Sequence, residues 1–116
     1  MKKKMIAAGH ICIDFTPEFI CDKQKKFENI LAPGKLVKVG KAQFNPGGSV
    51  SNTGLAMKFL GADVSLMGKI GQDAFGTMLL KELEKKDAGG GIRVVPGQET
   101  SYSVVLAVPG IDRLFL

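Results

Sequence analysis

The chain has 116 residues, 45% hydrophobic and 23% charged, with two cysteines and a formal net charge of +5, the composition of one small globular domain and not of a disordered, collagen-like or disulfide-stapled chain. The excess charge lies at the front: residues 1–45 set nine lysines against Asp14, Glu18, Asp22 and Glu28, whereas residues 46–116 balance seven basic groups with seven acidic ones. Lys2, Lys3, Lys4 and the Lys23, Lys25, Lys26 cluster come with little arginine and no interleaved aromatics, which describes a solvated surface and argues against a nucleic-acid arm.

In chain order, the opening MKKKMIAAGHICIDF imitates a secretory leader, but His10 and Asp14 interrupt its apolar stretch and no clean cleavage site follows. No run approaches the roughly 18 apolar residues needed to span a bilayer. Cys12 sits in an apolar run and Cys21 in a polar loop, a spacing that makes neither a CxxC site nor a disulfide framework, so reduced thiols in cytoplasm are expected. Residues Met5 to Ile13 predict a buried first strand, ended by Asp14. From Phe15 the texture changes: Pro17, Pro33 and Pro46 punctuate it and KLVKVGKAQF alternates, which predicts a β excursion with one face in need of cover.

Ser49 to Leu60 predicts a helix, apolar on two sides and therefore almost wholly buried, stopped by Gly61 in the left-handed region. Val64 to Met67 reads as a strand. A second helix follows from Ala74 to Lys86, with Asp73 as its N-cap and Phe75, Met78, Leu79 and Leu83 on one face. Gly89, Gly90 and Gly91 break it. Ile92 to Val95 and Ser101 to Val108 are strand-like, joined by VPGQ turn chemistry. The last residues, Arg113-Leu114-Phe115-Leu116, form an apolar run with no cap, turn or polar tail, as expected for a piece of something longer.

Such an order is an α/β pattern, in which ligands gather beyond the carboxyl ends of strands. The glycine clusters are neither a P-loop, since no Gly-x4-Gly-Lys-Ser/Thr exists, nor a G-x-G-x-x-G dinucleotide fingerprint. Asp14 at a strand end, Gly47 and Gly48 before the first long helix, and Asn52 one turn into it bring a carboxylate, unpaired backbone amides and a carboxamide to one crevice. That mixture of donors and acceptors suits a neutral polyhydroxyl ligand better than an anion.

The stretch NPGGSVSNTGLAMKFLGADVSLMGKIGQDAFG resembles the first signature of the ribokinase, or PfkB, family of carbohydrate kinases, through Gly47, Gly48, Asn52, Gly61, Gly68, Gly71, Asp73 and Gly76. AAGHICIDF resembles the family's first strand with its substrate aspartate, and QETSYSVVLAVPGIDRLFL its lid-proximal strand pair. The resemblance spans essentially the whole chain. It implies an α/β, ribokinase-like fold, with residues 1–116 as the N-terminal portion of a mainly parallel sheet flanked by helices and residues 15–44 as a β lid. It further implies that Asp14 accepts hydrogen bonds from substrate hydroxyls and that Gly47, Gly48 and Asn52 close on a sugar or nucleoside. In many members the lid pairs with a second subunit, which implies a homodimer.

The family's second signature, a Gly-Ala-Gly-Asp loop with the catalytic aspartate, does not occur in this sequence. The resemblance therefore implies that no catalytic residue lies in this chain, that ATP and Mg²⁺ are bound mainly by a C-terminal half, and that the fragment alone is inactive. Of the remaining residues, Gly68, Gly71 and Gly76 read as turn and packing positions, and Asp73 as an N-cap. His10, without metal-ligand partners, reads as a hydrogen-bonded strand residue. Thr100, Ser101 and Ser103 are candidate sugar contacts on a strand edge. Two other classes stay open: a non-catalytic sugar-binding or dimerisation module derived from the family, and an unrelated dinucleotide-binding domain.

Overall fold

The computed structural model describes residues 3–20 and 26–116, so Lys2, Cys21, Lys23 and Lys25, together with part of the expected lid, lie outside the described residues. The described residues form two small sheets. One is parallel, in the order β1-β4-β5, formed by Lys4–Ala8, Asp63–Gly71 and Ile92–Val95. The second has the order β3-β2-β6-β7, from Val39–Gly47, Cys12–Phe19, Tyr102–Leu106 and Leu114–Phe115. In it β2 runs antiparallel to β3 and parallel to β6, and β6 runs antiparallel to β7.

The helices connect these strands. The short α1 covers Phe27–Ile30 inside the β2–β3 excursion, α2 covers Gly48–Phe59, and α3 covers Ala74–Glu84. Burial alternates cleanly along β4, with Val64, Leu66 and Ile70 buried and Ser65, Met67 and Lys69 exposed. That period of two defines a single covered face. On this face Gly54 of α2 lies so close to Leu66 that a Cβ would approach the leucine side chain at 2.6 Å. Leu79 and Leu83 of α3 are fully buried in the same core as Ile11, Ile13, Val50 and Ile70. Their spacing of four residues is the helical repeat that puts them on one side.

Sequence expectations change at the first strand, the β excursion, His10 and α2. The apolar run Met5 to Ile13 is not one strand: Gly9, at φ +143°, turns the chain out of β1 and into β2. Asp14 consequently lies inside β2, not at the end of a strand, and the β excursion runs from Cys12 to Gly47, wider than residues 15–44. His10 belongs to the connection between strands; its backbone carbonyl, not its ring, accepts a bond from the Val50 N–H at 3.1 Å. Helix α2 is buried at Val50, Ser51 and Gly54 only, while Phe59 and Leu60 are 91% and 83% exposed. The flank of α2 that meets β4 is buried, whereas Phe59 and Leu60 at its C-terminal end are exposed.

Elsewhere the expected elements form. Gly61 ends α2 at φ +84°, and Asp73 caps α3 by accepting from the Gly76 N–H at 2.7 Å. Strand β6 is shorter than Ser101 to Val108, beginning at Tyr102 and ending at Leu106. Among the described residues no helix is long and apolar enough to cross a membrane.

Candidate functional site

The β2–β3–β6 register builds the site. Asp14 stands opposite Asn45 on β3 and Ser103 on β6, and Cys12 stands opposite Gly47. Because side chains alternate along a strand, Cys12, Asp14 and Ser103 share one face of the sheet. There the Ser103 hydroxyl donates to Asp14 Oδ1 at 2.5 Å, and the Cys12 thiol donates to the same oxygen at 3.4 Å.

Gly47 closes the site from beneath, since a Cβ on it would collide with the Asp14 carboxylate. Its backbone is extended, so the need for glycine here is close approach and not an unusual torsion. Gly48 has both needs: it sits at φ +81°, and a Cβ would lie 2.8 Å from the His10 carbonyl oxygen. These two glycines turn β3 into α2 directly below the aspartate. Asn52 is exposed on the first turn of α2. Ser101, just before β6, is exposed, and its carbonyl accepts from the Ile13 N–H at 3.1 Å. The structure thus brings Asp14, Gly47, Gly48 and Ser103 together, while Asn52 and Ser101 stand exposed at the edges of that group with no hydrogen bond to it.

Cys12 is a residue that the sequence offered no reason to select except its place two before Asp14 on a strand. Its thiol pKa is pushed up to about 11, first by burial, then by the neighbouring carboxylate charge and the hydrogen bond to it. The thiol therefore keeps its proton and serves Asp14 as a donor. Farther along the same face a cleft of about 330 Å³ is lined by Thr16, Glu18, Lys41, Gln43 and Ala107, with Pro17 and Phe19 at its border.

The opposite face of β2 is aromatic. Phe15 meets Phe44 of β3 edge to face and Phe75 of α3 at a tilt, both at 4.9 Å between ring centroids, and Tyr102 lies 5.2 Å from Phe75. These contacts fasten the β excursion to α3. Thr100 is not a surface hydroxyl available to a ligand. It is 4% exposed, its Oγ1 and N–H donate to Asp73 Oδ1 and Oδ2 at 2.6 and 2.8 Å, and its Oγ1 accepts from the Gly71 N–H at 2.9 Å. The Asp73 carboxyl is held below its ordinary pKa by the Thr100 hydroxyl first, then by the amides of Thr100 and Gly76. Asp73 is thus both a helix cap and a clasp between α3 and the β5–β6 connection.

The chain resembles known proteins over its whole length. A model of the pfkB family of carbohydrate kinases matches residues 2–107. A probable chloroplastic fructokinase-6 of Arabidopsis thaliana is 32% identical over 72 residues, 61% of this chain and 19% of that protein. Among solved structures, a putative ribokinase from Agrobacterium tumefaciens superposes with a TM-score of 0.77 at 22% identity, covering 100% of this chain and 36% of that one. An uncharacterized sugar kinase from Pyrococcus horikoshii in complex with ATP gives 0.67 at 26% identity, covering 97% of this chain and 33% of that one. The chain therefore spans about a third of the length of the structures that it matches.

Proposed function

The chain belongs to the pfkB family of carbohydrate kinases, and on that premise we propose that it is the N-terminal, substrate-binding part of an enzyme that transfers phosphate from ATP to a hydroxyl of a sugar or nucleoside. The observation that carries this reading is the Asp14 carboxylate, anchored through Oδ1 and seated against Gly47 at the entrance to α2. A fixed carboxylate is an acceptor for the O–H groups of a polyol, and charge-assisted bonds of this kind are stronger than neutral ones. Amides at the start of α2 and the Asn52 carboxamide supply donors for the hydroxyl oxygens. Ser101 lies at the rim of the same group. The β2–β3 pair extends beyond the site as a lid that keeps water from competing with the sugar hydroxyl for phosphate.

Among the described residues no three His, Cys, Asp or Glu side chains gather to hold a cation. As the family resemblance implies, ATP and Mg²⁺ are assigned mainly to the part of the family fold that this chain does not span. This chain's contribution is binding, orientation and shielding. By itself it is expected to transfer no phosphate. The exposed apolar residues of the lid sheet, Val39, Phe44 and Tyr102, favour a second copy of the protein as its cover, giving a homodimer in the cytoplasm.

The test is ADP release by the complete gene product over a panel of sugars and nucleosides. The proposal expects turnover that depends on one class of sugar or nucleoside and falls at least tenfold in Asp14→Ala. Sugar binding without ADP release would support the non-catalytic module, and neither binding nor turnover would remove the carbohydrate reading altogether.

A further inference from the structure

We propose that Ser103 is a positioning residue, which fixes the Asp14 carboxylate so that Oδ2 alone is presented to a substrate hydroxyl. The inference rests on the kinase reading above and concerns how its binding carboxylate is aimed.

The two carboxylate oxygens of Asp14 differ in their donors. Oδ1 accepts from two donors, the Ser103 hydroxyl at 2.5 Å and the Cys12 thiol at 3.4 Å. Oδ2 accepts from no described residue. Asp14 as a whole is half-buried, and Oδ2 is the oxygen that a Cβ on Gly47 would meet first, so it faces the turn into α2. One carboxylate oxygen is thus satisfied internally, and the other faces Gly47 with no donor among the described residues.

Left to itself, an aspartate carboxylate rotates readily about its terminal torsion, which is broad and roughly two-fold. Three neighbours restrict that rotation. Ser103 lies directly opposite on the adjacent parallel strand, Cys12 lies two residues back on the same face, and Gly47 lies beneath with no room for a Cβ. Ser103 is the strongest of the two donors, since a thiol is a weak one. Its single hydroxyl proton is committed to Asp14. For this reason Ser103 acts on a sugar through the aspartate and is not itself the donor to the ligand.

A cycle of variants in the complete gene product tests this: Ser103→Ala, Asp14→Ala, and both together, with kcat and KM for the accepted sugar and for ATP. Ser103→Ala is expected to raise the sugar KM roughly threefold to tenfold, the scale of one lost neutral-to-charged donor acting indirectly, with the ATP KM unchanged. Ser103→Thr, which keeps the hydroxyl, is expected to restore the wild-type sugar KM. In the Asp14→Ala background, removing the Ser103 hydroxyl is expected to add nothing, because the group that it aims is gone.

Losses that multiply fully in the double variant would overturn the proposal, since Ser103 would then act on the sugar independently. A Ser103→Ala enzyme with wild-type sugar KM would overturn it as well, while leaving the kinase reading intact if Asp14→Ala is impaired. No sugar-dependent turnover in the wild type would overturn both together. Should Ser103→Ala fold poorly, Ser103→Cys keeps the shape with a weaker donor. A sugar KM between those of wild type and Asp14→Ala would support the proposal, and a KM equal to wild type would oppose it.

Discussion

Thr100 closes on Asp73 with its amide and its hydroxyl together, at 2.8 and 2.6 Å, while the same carboxylate caps the Gly76 N–H at 2.7 Å. Three donors from two segments, Gly76 three residues and Thr100 27 residues from Asp73, thereby converge on one side chain. Thr100→Val keeps the shape of the buried residue but removes the hydroxyl that both donates to Asp73 and accepts from Gly71. It is expected to destabilise the fold by about 1–3 kcal/mol, the range for leaving buried hydrogen-bonding groups unpaired. Chemical denaturation of the two proteins side by side checks this; an unchanged midpoint would refute the clasp.

The same carboxylate gives a pH dependence. Its folded pKa is lowered, chiefly by the Thr100 hydroxyl, so the folded state binds this proton less readily than the unfolded chain. The stabilisation is fully present above the unfolded carboxylate pKa, near 4, and is lost as the pH falls through the lower folded value. The difference in Tm between wild type and Asp73→Asn should be constant from pH 8 to pH 5 and shrink below about pH 4. A difference that stays constant to pH 2 would assign the effect to packing and not to charge.

Gly47 supplies a steric prediction with an internal control. A methyl group here collides with the Asp14 carboxylate, so Gly47→Ala is expected to cost roughly 1–3 kcal/mol, as overpacking typically does. Because the Gly47 backbone is extended, that collision and not torsional strain opposes alanine. The double variant Gly47→Ala with Asp14→Ala should therefore recover most of the lost stability. If the double variant is as unstable as Gly47→Ala, the glycine is required for another reason.

These residues also show what a sequence can disclose. Asp73 was legible as a cap because its partner Gly76 lies three residues away, and the β2–β3 excursion was legible because alternation is local. The pairing of Asp14 with Ser103, 89 residues apart, follows from the parallel β2–β6 register, which no local pattern encodes. That pairing is the basis of the positioning role proposed for Ser103. Likewise Gly9 at φ +143° divides an unbroken apolar run between two sheets, a torsion that composition conceals. The exposed Phe59 and Leu60 misled in the opposite direction, since apolar character predicts burial only where something lies opposite.

The lid is expected to be anchored at one end and loose at the other. Phe15 and Phe44 tie the β2–β3 pair to Phe75 of α3, whereas the register shifts between Pro17 and Phe19 near the far end. Proline also contributes no ladder donor. In hydrogen exchange, amides around Phe19, Val39 and Gly40 should exchange at least about tenfold faster than those around Phe15 and Phe44. Phe75→Ala should abolish that gradient by releasing the anchored end. Uniform protection along both strands would contradict the anchoring role of the aromatic cluster.

Cys12 provides the last test, because its thiol reports directly on Asp14. Burial, followed by the neighbouring negative charge, pushes its pKa up to about 11 from the model-compound value of 9.0. The reactive species is the thiolate, and a two-unit rise makes it about a hundredfold scarcer near neutral pH. Iodoacetamide at pH 7.5 should therefore label Cys12 in the folded protein at least about a hundredfold more slowly than in urea, read by peptide mass so that Cys21 is scored separately. Asp14→Asn removes the charge but leaves the burial; labelling should accelerate, yet stay slower than in the unfolded chain, since burial is the larger cause. The linkage has a definite sign. With the folded pKa raised, stability is complete below pH 9 and is lost as the pH climbs from about 9 towards 11, because the unfolded chain gives up this proton first. The Tm advantage of wild type over Cys12→Ala should accordingly diminish above pH 9. If Cys12 instead labels as fast folded as unfolded, the thiol is not packed against the carboxylate, and the hydrogen-bonded cluster of Cys12, Asp14 and Ser103 does not exist in solution.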